Sequence, residues 1–345
     1  MNADFIRRSL TIGLAVVAAF GVSAAPSANA ATVRYALGDT LLTNIQSALS
    51  AGDTLLVPTG RYLLTETLPA GITVRGEGPR DSVLLVPYIP SSPIFYFPDA
   101  GDTTRVENIT FDCEENQEAS ALYFKHGTIA VTGNRFFRGV AILADSCDGT
   151  ISDNYFENVG SAIRCADSRL WIDRNEIVGA KNGSISMRGS PLRITRNRIV
   201  KTVNTGIVIV GKRYVPVIGG EPGMGNEIYG AFNSDVINNS GKDVNAQYNY
   251  WGIKSTEEMT RFGFPSNIDA ITDRWDLAKD AGEVDFRNFL DAPPPEGKPV
   301  KVGPKGEVGA EGAGGADRRL LAIGGGVIVI ALLVATRARR ARRTS

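Results

Sequence analysis

Apolar residues recur along the chain at intervals of just over twenty residues. Four segments, VTGNRFF, ISDNYFEN, IDRNEIVG and ITRNRIVK, each place an asparagine three residues after a branched apolar side chain. These asparagines are Asn134, Asn154, Asn175 and Asn197, with spacings of 20, 21 and 22 residues. A second series is formed by Leu122, Ile142, Ile163, Ile185 and Ile207. Each repeat holds short runs in which apolar residues alternate with other residues, a pattern that predicts β-strands.

A unit of this length without a helix cannot bury its apolar side alone, so neighbouring units must stack. Leucine-rich repeats have a similar length, but their fixed leucine skeleton is missing. The pattern therefore predicts an all-β parallel β-helix with three strands per coil and rungs ~4.8 Å apart. We expect each repeated asparagine to take the left-handed conformation of a tight turn and to bond the asparagine of the next coil.

Both ends of the repeat region carry sequences that we expect to cover it. Residues 41–49, LLTNIQSAL, have helical spacing and predict an N-terminal capping helix over the first coil. Residues 245–252, NAQYNYWG, are expected to close the ladder with large aromatic side chains. Residues 268–290 then cover the last rung.

The two termini predict export and anchoring. Residues 1–30 combine Arg7 and Arg8, an apolar stretch and the small residues before Ala31, as in a secretory signal peptide. After a β-helix domain at 31–291 and a Pro/Gly-rich linker at 292–319, residues 320–336 form an uncharged apolar segment. A helix there reaches about 25 Å, the short end of a bilayer span. Five arginines in the basic tail at 337–345 predict that this end is cytoplasmic. The glycine-rich patch at 312–315, the apolar segment and the arginine cluster together also resemble bacterial C-terminal sorting tails, which is the alternative to a single-span anchor. We therefore predict a protein of the cell surface or periplasm, anchored by its C-terminal helix.

Composition narrows the chemistry. The chain has one His and three Cys, which exclude a site needing two histidines and a four-thiolate zinc site. Residues 31–317 hold 28 basic and 36 acidic side chains, whereas the last 28 residues hold seven arginines and no acid. We expect a monomer with no nucleic-acid partner. Cys165 is expected in the core, and the sequence does not decide whether Cys147 and Cys165 form a disulfide.

Several motifs together resemble the right-handed parallel β-helix repeat proteins of the pectate-lyase-like superfamily. They are the predicted capping helix, the asparagine ladder, the sequence NYWG at 249–252 and the sequence GEVDF at 282–286. The resemblance covers roughly residues 33–291 and implies a right-handed three-sheet fold. It implies no single activity, because the superfamily includes lyases, hydrolases, epimerases and members of unknown function.

The resemblance also implies where a polysaccharide would bind. The strand before the asparagine is then the second sheet, and the Leu122 series is the first sheet, whose outward face is used by the superfamily's polysaccharide enzymes. Strand alternation turns the residues one and three places after each ladder residue outward. This face carries candidate catalytic residues Lys125, Arg164 and Arg188, and candidate ligand-binding residues Tyr123 and Asp145.

Cations and an aromatic side chain on such a face suit an acidic sugar chain. In a lyase, Lys125 would be the base if its pKa were lowered, and Ca²⁺, the one cofactor considered, would be held by Asp145, Asp148 and Asp167. The alternative is a solvated face, on which Arg164 and Asp145 form only a cross-coil ion pair. The catalytic motifs of polygalacturonases, alginate epimerases and pectate lyases are absent.

Two functional hypotheses follow. In the first, the protein is a non-catalytic, membrane-anchored surface module that binds a polysaccharide or a cell-envelope protein. In the second, it is a polysaccharide lyase or hydrolase that acts on an acidic glycan along the first sheet. An enzyme requires a base and metal ligands that converge within ~3 Å of one substrate atom.

Overall fold

The chain winds as an all-β parallel solenoid of about eight turns. The computed structural model describes residues 31–34, 49–114, 119–277 and 280–294. Three series of parallel strands run along the axis, one for each side of the coil, as the repeat pattern predicted. Two long strands bend through a corner and belong to both the first and the second series.

The first sheet contains β4 (Glu66–Thr67), β7 (Phe95–Phe97), the first part of β10 (Ser120–Thr132) and of β12 (Val140–Ser152), β14 (Ser161–Ala166), β17 (Gly183–Arg188), β20 (Thr205–Val210), β23 (Ser234–Asn239) and β25 (Ile271–Thr272). The second sheet contains β1 (Thr32–Arg34), β2 (Thr54–Val57), β5 (Thr73–Gly76), β8 (Thr104–Glu107), the last parts of β10 and β12, β15 (Arg169–Asp173), β18 (Arg193–Thr195), β21 (Val217–Ile218), β24 (Val244–Asn245) and β26 (Val284–Asp285). The third sheet contains β3 (Gly60–Leu64), β6 (Val83–Pro87), β9 (Thr110–Asp112), β11 (Arg135–Phe137), β13 (Tyr155–Glu157), β16 (Glu176–Val178), β19 (Arg198–Val200) and β22 (Glu227–Tyr229).

The apolar series of the sequence become stacked rows in the core. Leu122 pairs with Ile142, and the row continues through Ile163, Ile185 and Ile207. All five side chains are buried. In the third sheet, the rings of Phe136 and Phe156 stack with centroids 4.9 Å apart. This distance matches the spacing between paired strands, so identical side chains fill identical places in successive coils.

The asparagines form the predicted ladder, which has more members than the four repeats found in the sequence. Its members, all buried, are Asn134, Asn154, Asn175, Asn197, Asn226 and Asn249. The Oδ1 of each asparagine from Asn154 onward accepts bonds from the backbone N–H and the side-chain amide of the preceding member; for Asn175 both donors lie 3.0 Å away. The side-chain amide also donates to a backbone carbonyl of the preceding coil. The ladder thus satisfies polar groups that the turn would otherwise bury without partners.

The expectation that the ladder asparagines adopt the left-handed conformation is wrong. The left-handed residue is the one immediately before the asparagine at every ladder member except Asn226, as at Asp153 with φ 57° and Arg174 with φ 51°. The turn is therefore made by the preceding residue. Asparagine is required for its amide, which must reach along the axis to the neighbouring coils.

The C-terminal end contains a helix that the sequence pattern did not indicate. The ladder ends at Asn249, Trp251 is buried, and helix α1 follows at Gly252–Phe262. A single 3₁₀ turn occurs earlier, at Arg80–Ser82. Residues beyond α1 add β25 to the first sheet and β26 to the second, so that the last rung is covered as predicted.

Several predicted segments lie outside the described residues. They are the signal peptide at 1–30, the capping helix at 41–49 apart from Leu49, the linker beyond residue 294, the membrane helix at 320–336 and the tail at 337–345. Within the part of the chain that the structure describes, no helix is long and apolar enough to cross a bilayer.

Candidate functional site

The outward face of the first sheet begins with two neighbouring tyrosines. Tyr123 in β10 pairs in register with Tyr96 in β7, and their ring centroids lie 5.2 Å apart at an interplanar angle of 35°. The residues on either side, such as Phe95 and Phe124, point into the core. Strand alternation therefore forces both phenol rings outward, where they form one aromatic surface two rungs long.

Lys125 lies beside this aromatic surface. Its ammonium nitrogen is 5.3 Å from the centroid of Tyr123 and 5.8 Å from that of Tyr96. These distances are within the range of cation–π attraction. The charge of Tyr123 when ionised, followed by a hydrogen bond to Tyr96, raises the pKa of the Lys125 amine. A lysine amine is ordinarily protonated at neutral pH, and the shift here is upward, whereas the base hypothesis required a lowered pKa.

Asp145 holds the Tyr123 ring in place. The Tyr123 hydroxyl donates a hydrogen bond of 2.8 Å to Oδ2 of Asp145 on the next coil. Burial, followed by this hydrogen bond, raises the pKa of Tyr123, so the phenol remains neutral and acts as the donor. We call Tyr96, Tyr123, Lys125 and Asp145 the tyrosine platform.

Arg164 and Arg188 lie farther along the same face. The Arg164 Nε donates to the hydroxyl of Ser161 at 3.1 Å, and the expected ion pair with Asp145 is not formed. Partial desolvation lowers the pKa of the Arg164 guanidinium, although the residue is exposed. The guanidinium nevertheless stays charged, because the ordinary pKa of arginine is very high. Arg188 is exposed and makes no ion pair with any residue that the structure describes.

The register separates the three candidate catalytic cations. Lys125 pairs with Asp145, which pairs with Ala166, which in turn pairs with Arg188. Three rungs correspond to about 14 Å along the axis. The cations therefore line a row instead of converging on one atom, a spacing suited to an extended charged ligand. Val208, which continues the row of Tyr123 and Arg164, is buried, whereas the row of Arg188 continues through half-buried Val210 to exposed Asn239.

The aspartates proposed as metal ligands are not brought together. Asp148 is exposed and lies 3.6 Å from the guanidinium of Arg169. Asp167 is also exposed and occupies a left-handed turn position with φ 48°, a conformation that aspartate tolerates well. Among the described residues, no three Asp, Glu, His or Cys side chains are grouped closely enough to hold a metal ion.

The three cysteines, all within the described residues, are free thiols. The disulfide between Cys147 and Cys165, which the sequence left undecided, is therefore not formed. All are buried, and burial raises the pKa of each thiol to about 12. They are inert fillers of the interior, as was expected of Cys165.

Tyr96 was not predicted as a site residue. Its coil lies 27 residues before that of Tyr123, outside the regular spacing of 20–22 residues. The sequences FYF at 95–97 and LYF at 122–124 share the same alternation, and this likeness is the signal that could have identified it.

No protein-family model matches the chain, and no curated protein matches it. Among solved structures the chain is similar to ORF18 of Geobacillus virus E2, with a TM-score of 0.38 and 13% identity over 58% of this chain and 50% of that chain. It is also similar to the A-module of mannuronan C-5 epimerase AlgE6 from Azotobacter vinelandii, with a TM-score of 0.29 and 12% identity over 66% of this chain and 77% of that chain. The chain thus spans half the length of the first of these proteins. At these TM-scores, neither similarity bears on what this chain binds.

Proposed function

We propose that the protein is a non-catalytic binding module whose first sheet holds an extended acidic polysaccharide. The observation that carries the proposal is the tyrosine platform, in which the Lys125 ammonium lies over two adjacent phenol rings. Aromatic faces pack against the apolar faces of sugar rings, and a fixed cation attracts a carboxylate.

The row beyond the platform extends the same chemistry. Arg164 lies two rungs from Tyr123, and Arg188 lies three rungs from Lys125. Lys125, Arg164 and Arg188 occupy the first, third and fourth of four successive rungs, an arrangement in which they can contact several charges of one polyanion. The platform is also preorganised, because Asp145 fixes the Tyr123 ring before any ligand arrives.

A lyase acting on the same face is the alternative function. It would need a neutral base, and the raised pKa of Lys125 opposes that role. The spread of the three cations along the axis also favours binding over proton abstraction at a single atom.

We further propose that the module is exported and held at a membrane by its C-terminal segment, with a polysaccharide or a cell-envelope protein as its partner. The apolar stretches and arginine clusters at the two ends of the chain support this placement. Fractionation of cells that express the full chain tests it: recovery in the cytosol would contradict the proposal.

The binding proposal is tested by titrating polygalacturonate into the full chain by calorimetry and recording the ultraviolet absorbance of unsaturated products. We expect binding without product. Lys125→Ala should weaken binding by about tenfold, since hydrogen bonds to charged groups contribute about 1.5–3 kcal/mol. Lys125→Arg should retain most of the affinity.

The matched control is Lys254→Ala, which removes one positive charge from helix α1. It should leave binding unchanged. Equal losses in Lys125→Ala and Lys254→Ala would show that only net charge matters and would contradict the platform. Product formation that disappears in Lys125→Ala would establish the lyase instead.

A further inference from the structure

The second sheet carries a separate aromatic position on its outward face. Trp171 in β15 is 38% exposed, an unusual state for the largest side chain on a regular strand. Its indole N–H donates a 2.7 Å hydrogen bond to Oγ1 of Thr195 on the following coil. Because this bond fixes the ring, the exposed indole is held in one orientation.

Two arginines lie against the indole. The guanidinium carbons of Arg193 and Arg196 lie 5.5 and 5.9 Å from the Trp171 ring centroid. Both arginines belong to the following coil, and Arg193 pairs directly with Trp171 in the sheet. Both arginine contacts, and the hydrogen bond to Thr195, therefore come from the later-coil side of Trp171.

A buried carboxylate holds the residues that contact the indole. The Asp173 side chain is only 4% exposed, and its carboxylate accepts hydrogen bonds from Thr195 at 2.7 Å and from Arg196 at 2.6 and 2.8 Å. Arg174 donates to the same carboxylate. Charge-assisted bonds of this kind fix both the guanidinium and the threonine that orient the indole.

On the earlier-coil side of Trp171 the outward side chains are short. The position paired with Trp171 is Thr150, and the next is Ala130. Beside them, the hydroxyls of Thr132 and Ser152 lie 3.4 Å apart. We call the surface formed by Ala130, Thr132, Thr150 and Ser152 beside Trp171 the shelf. The indole forms its apolar wall, and the threonine and serine hydroxyls line its floor.

A cation closes the far end of this shelf. Arg105 pairs in register with Ala130, so it lies three rungs, about 14 Å, from Trp171. Arg105 is exposed and forms no ion pair with the part of the chain that the structure describes. The acids that border the shelf, Glu107 and Asp148, each lie beside an arginine.

We propose that this shelf on the second sheet binds a short acidic saccharide, with one sugar ring packed against the exposed part of the Trp171 indole and a uronate carboxylate bound by Arg105. The flat apolar face of a sugar matches the indole, its hydroxyls match the threonine and serine floor, and its carboxylate matches Arg105. The site is independent of the tyrosine platform, which lies on another side of the coil.

The test uses trigalacturonate and full chain that carries Lys125→Ala, so that the cation of the first sheet is absent. Binding is measured by calorimetry and by tryptophan fluorescence. Trp171→Ala should weaken binding at least tenfold, and Trp171→Phe should abolish most of the fluorescence change while it retains part of the affinity. Arg105→Gln should weaken binding about fivefold at low salt and less at high salt.

A second variant keeps the test open if Trp171→Ala fails to fold. Thr150→Phe leaves Trp171 in place, adds a bulky side chain to the exposed shelf, and should weaken binding as much. Unchanged binding in both variants, no binding of trigalacturonate by the parent chain, or equal binding of the neutral maltotriose would each overturn the proposal. Loss of polygalacturonate binding in the Lys125→Ala chain alone concerns only the first sheet.

Discussion

The Oδ1 atom of Asn226 accepts hydrogen bonds from both the backbone nitrogen and the side-chain amide of Asn197, at 2.9 and 3.0 Å. The two residues are 29 positions apart, farther than any spacing in the regular repeat. The ladder therefore continues across an inserted loop without a break. Its hydrogen bonds depend on position within the coil and not on distance along the chain.

We predict that removal of one internal asparagine destabilises the solenoid strongly. Asn175→Ala deletes the acceptor of two bonds from Asn154 and the donor of bonds to Ile151, Asp173 and Asn197. Each buried group left without a partner costs about 1–3 kcal/mol. We expect a loss of about 3–5 kcal/mol in the free energy of unfolding, measured by urea denaturation.

The control for this prediction is Asn239→Ala. Asn239 is exposed at the end of β23, so its removal should change stability by less than about 0.5 kcal/mol. Comparable losses in the two variants would mean that asparagine at position 175 has no special role in the stack.

Much of the fold was predictable from the sequence because stacking converts position in the coil into a repeating pattern of residue types. Asn134 to Asn197 and the Leu122 row were identified in this way, and the structure confirms their registers. Asn226 and Asn249 escaped because loops displaced them from the regular spacing. Helix α1 was not predicted, because most of the residues on its buried face are small or polar. That face includes Ser255, Thr256 and Met259 and therefore shows no apolar periodicity.

The candidate site was only partly predictable. Alternation correctly placed Tyr123 and Lys125 on the outward face, since the direction of a side chain follows from its place in the strand. The contact between Lys125 and Tyr96 was not predictable, because Tyr96 belongs to another coil at irregular spacing. The residues around Lys125 in the sequence do not show which side chain of another coil lies next to it.

The stacked phenylalanines of the third sheet should be sensitive to truncation. Phe136 lies between Phe111 and Phe156, at centroid distances of 5.1 and 4.9 Å, and it is almost fully buried. Phe136→Ala should lower the free energy of unfolding by about 3–5 kcal/mol, because it opens a cavity on both sides of one rung.

Phe136→Leu provides the graded comparison. It retains most of the apolar volume and loses the ring stacking, so we expect a smaller loss, about 1–2 kcal/mol. Equal stability of Phe136→Ala and the unaltered chain in chemical denaturation would argue that this layer is not tightly packed.

The thiols should report on unfolding. Cys113, Cys147 and Cys165 are buried, and burial raises the pKa of each to about 12. At pH 8 almost no thiolate is available, so a thiol-specific reagent should react only as the chain opens. We expect negligible labelling of the native protein and three labelled thiols in denaturant. Rapid labelling of any of them in the native state would contradict their burial.

The last prediction concerns pH. Asp235 in β23 is 4% exposed, and burial raises the pKa of its carboxyl from 3.8 to about 7, although the backbone N–H of Ala231 donates to it and acts in the opposite direction. The folded state thus binds this proton more tightly than the unfolded state. Its stabilising effect is complete below pH 4 and is lost as the pH rises from about 4 to about 7.

Asp235→Asn should remove this pH dependence, since the amide keeps an acceptor for Ala231 and never ionises. One pKa unit corresponds to 1.36 kcal/mol, so the variant should be more stable than the parent at pH 8 by up to about 4 kcal/mol. At pH 4 the two should differ little. Urea denaturation across this range measures the difference, with the exposed Asp102→Asn as a control that should follow the parent. A gain for Asp235→Asn that is the same at pH 4 and pH 8 would show that ionisation of Asp235 is not its cause.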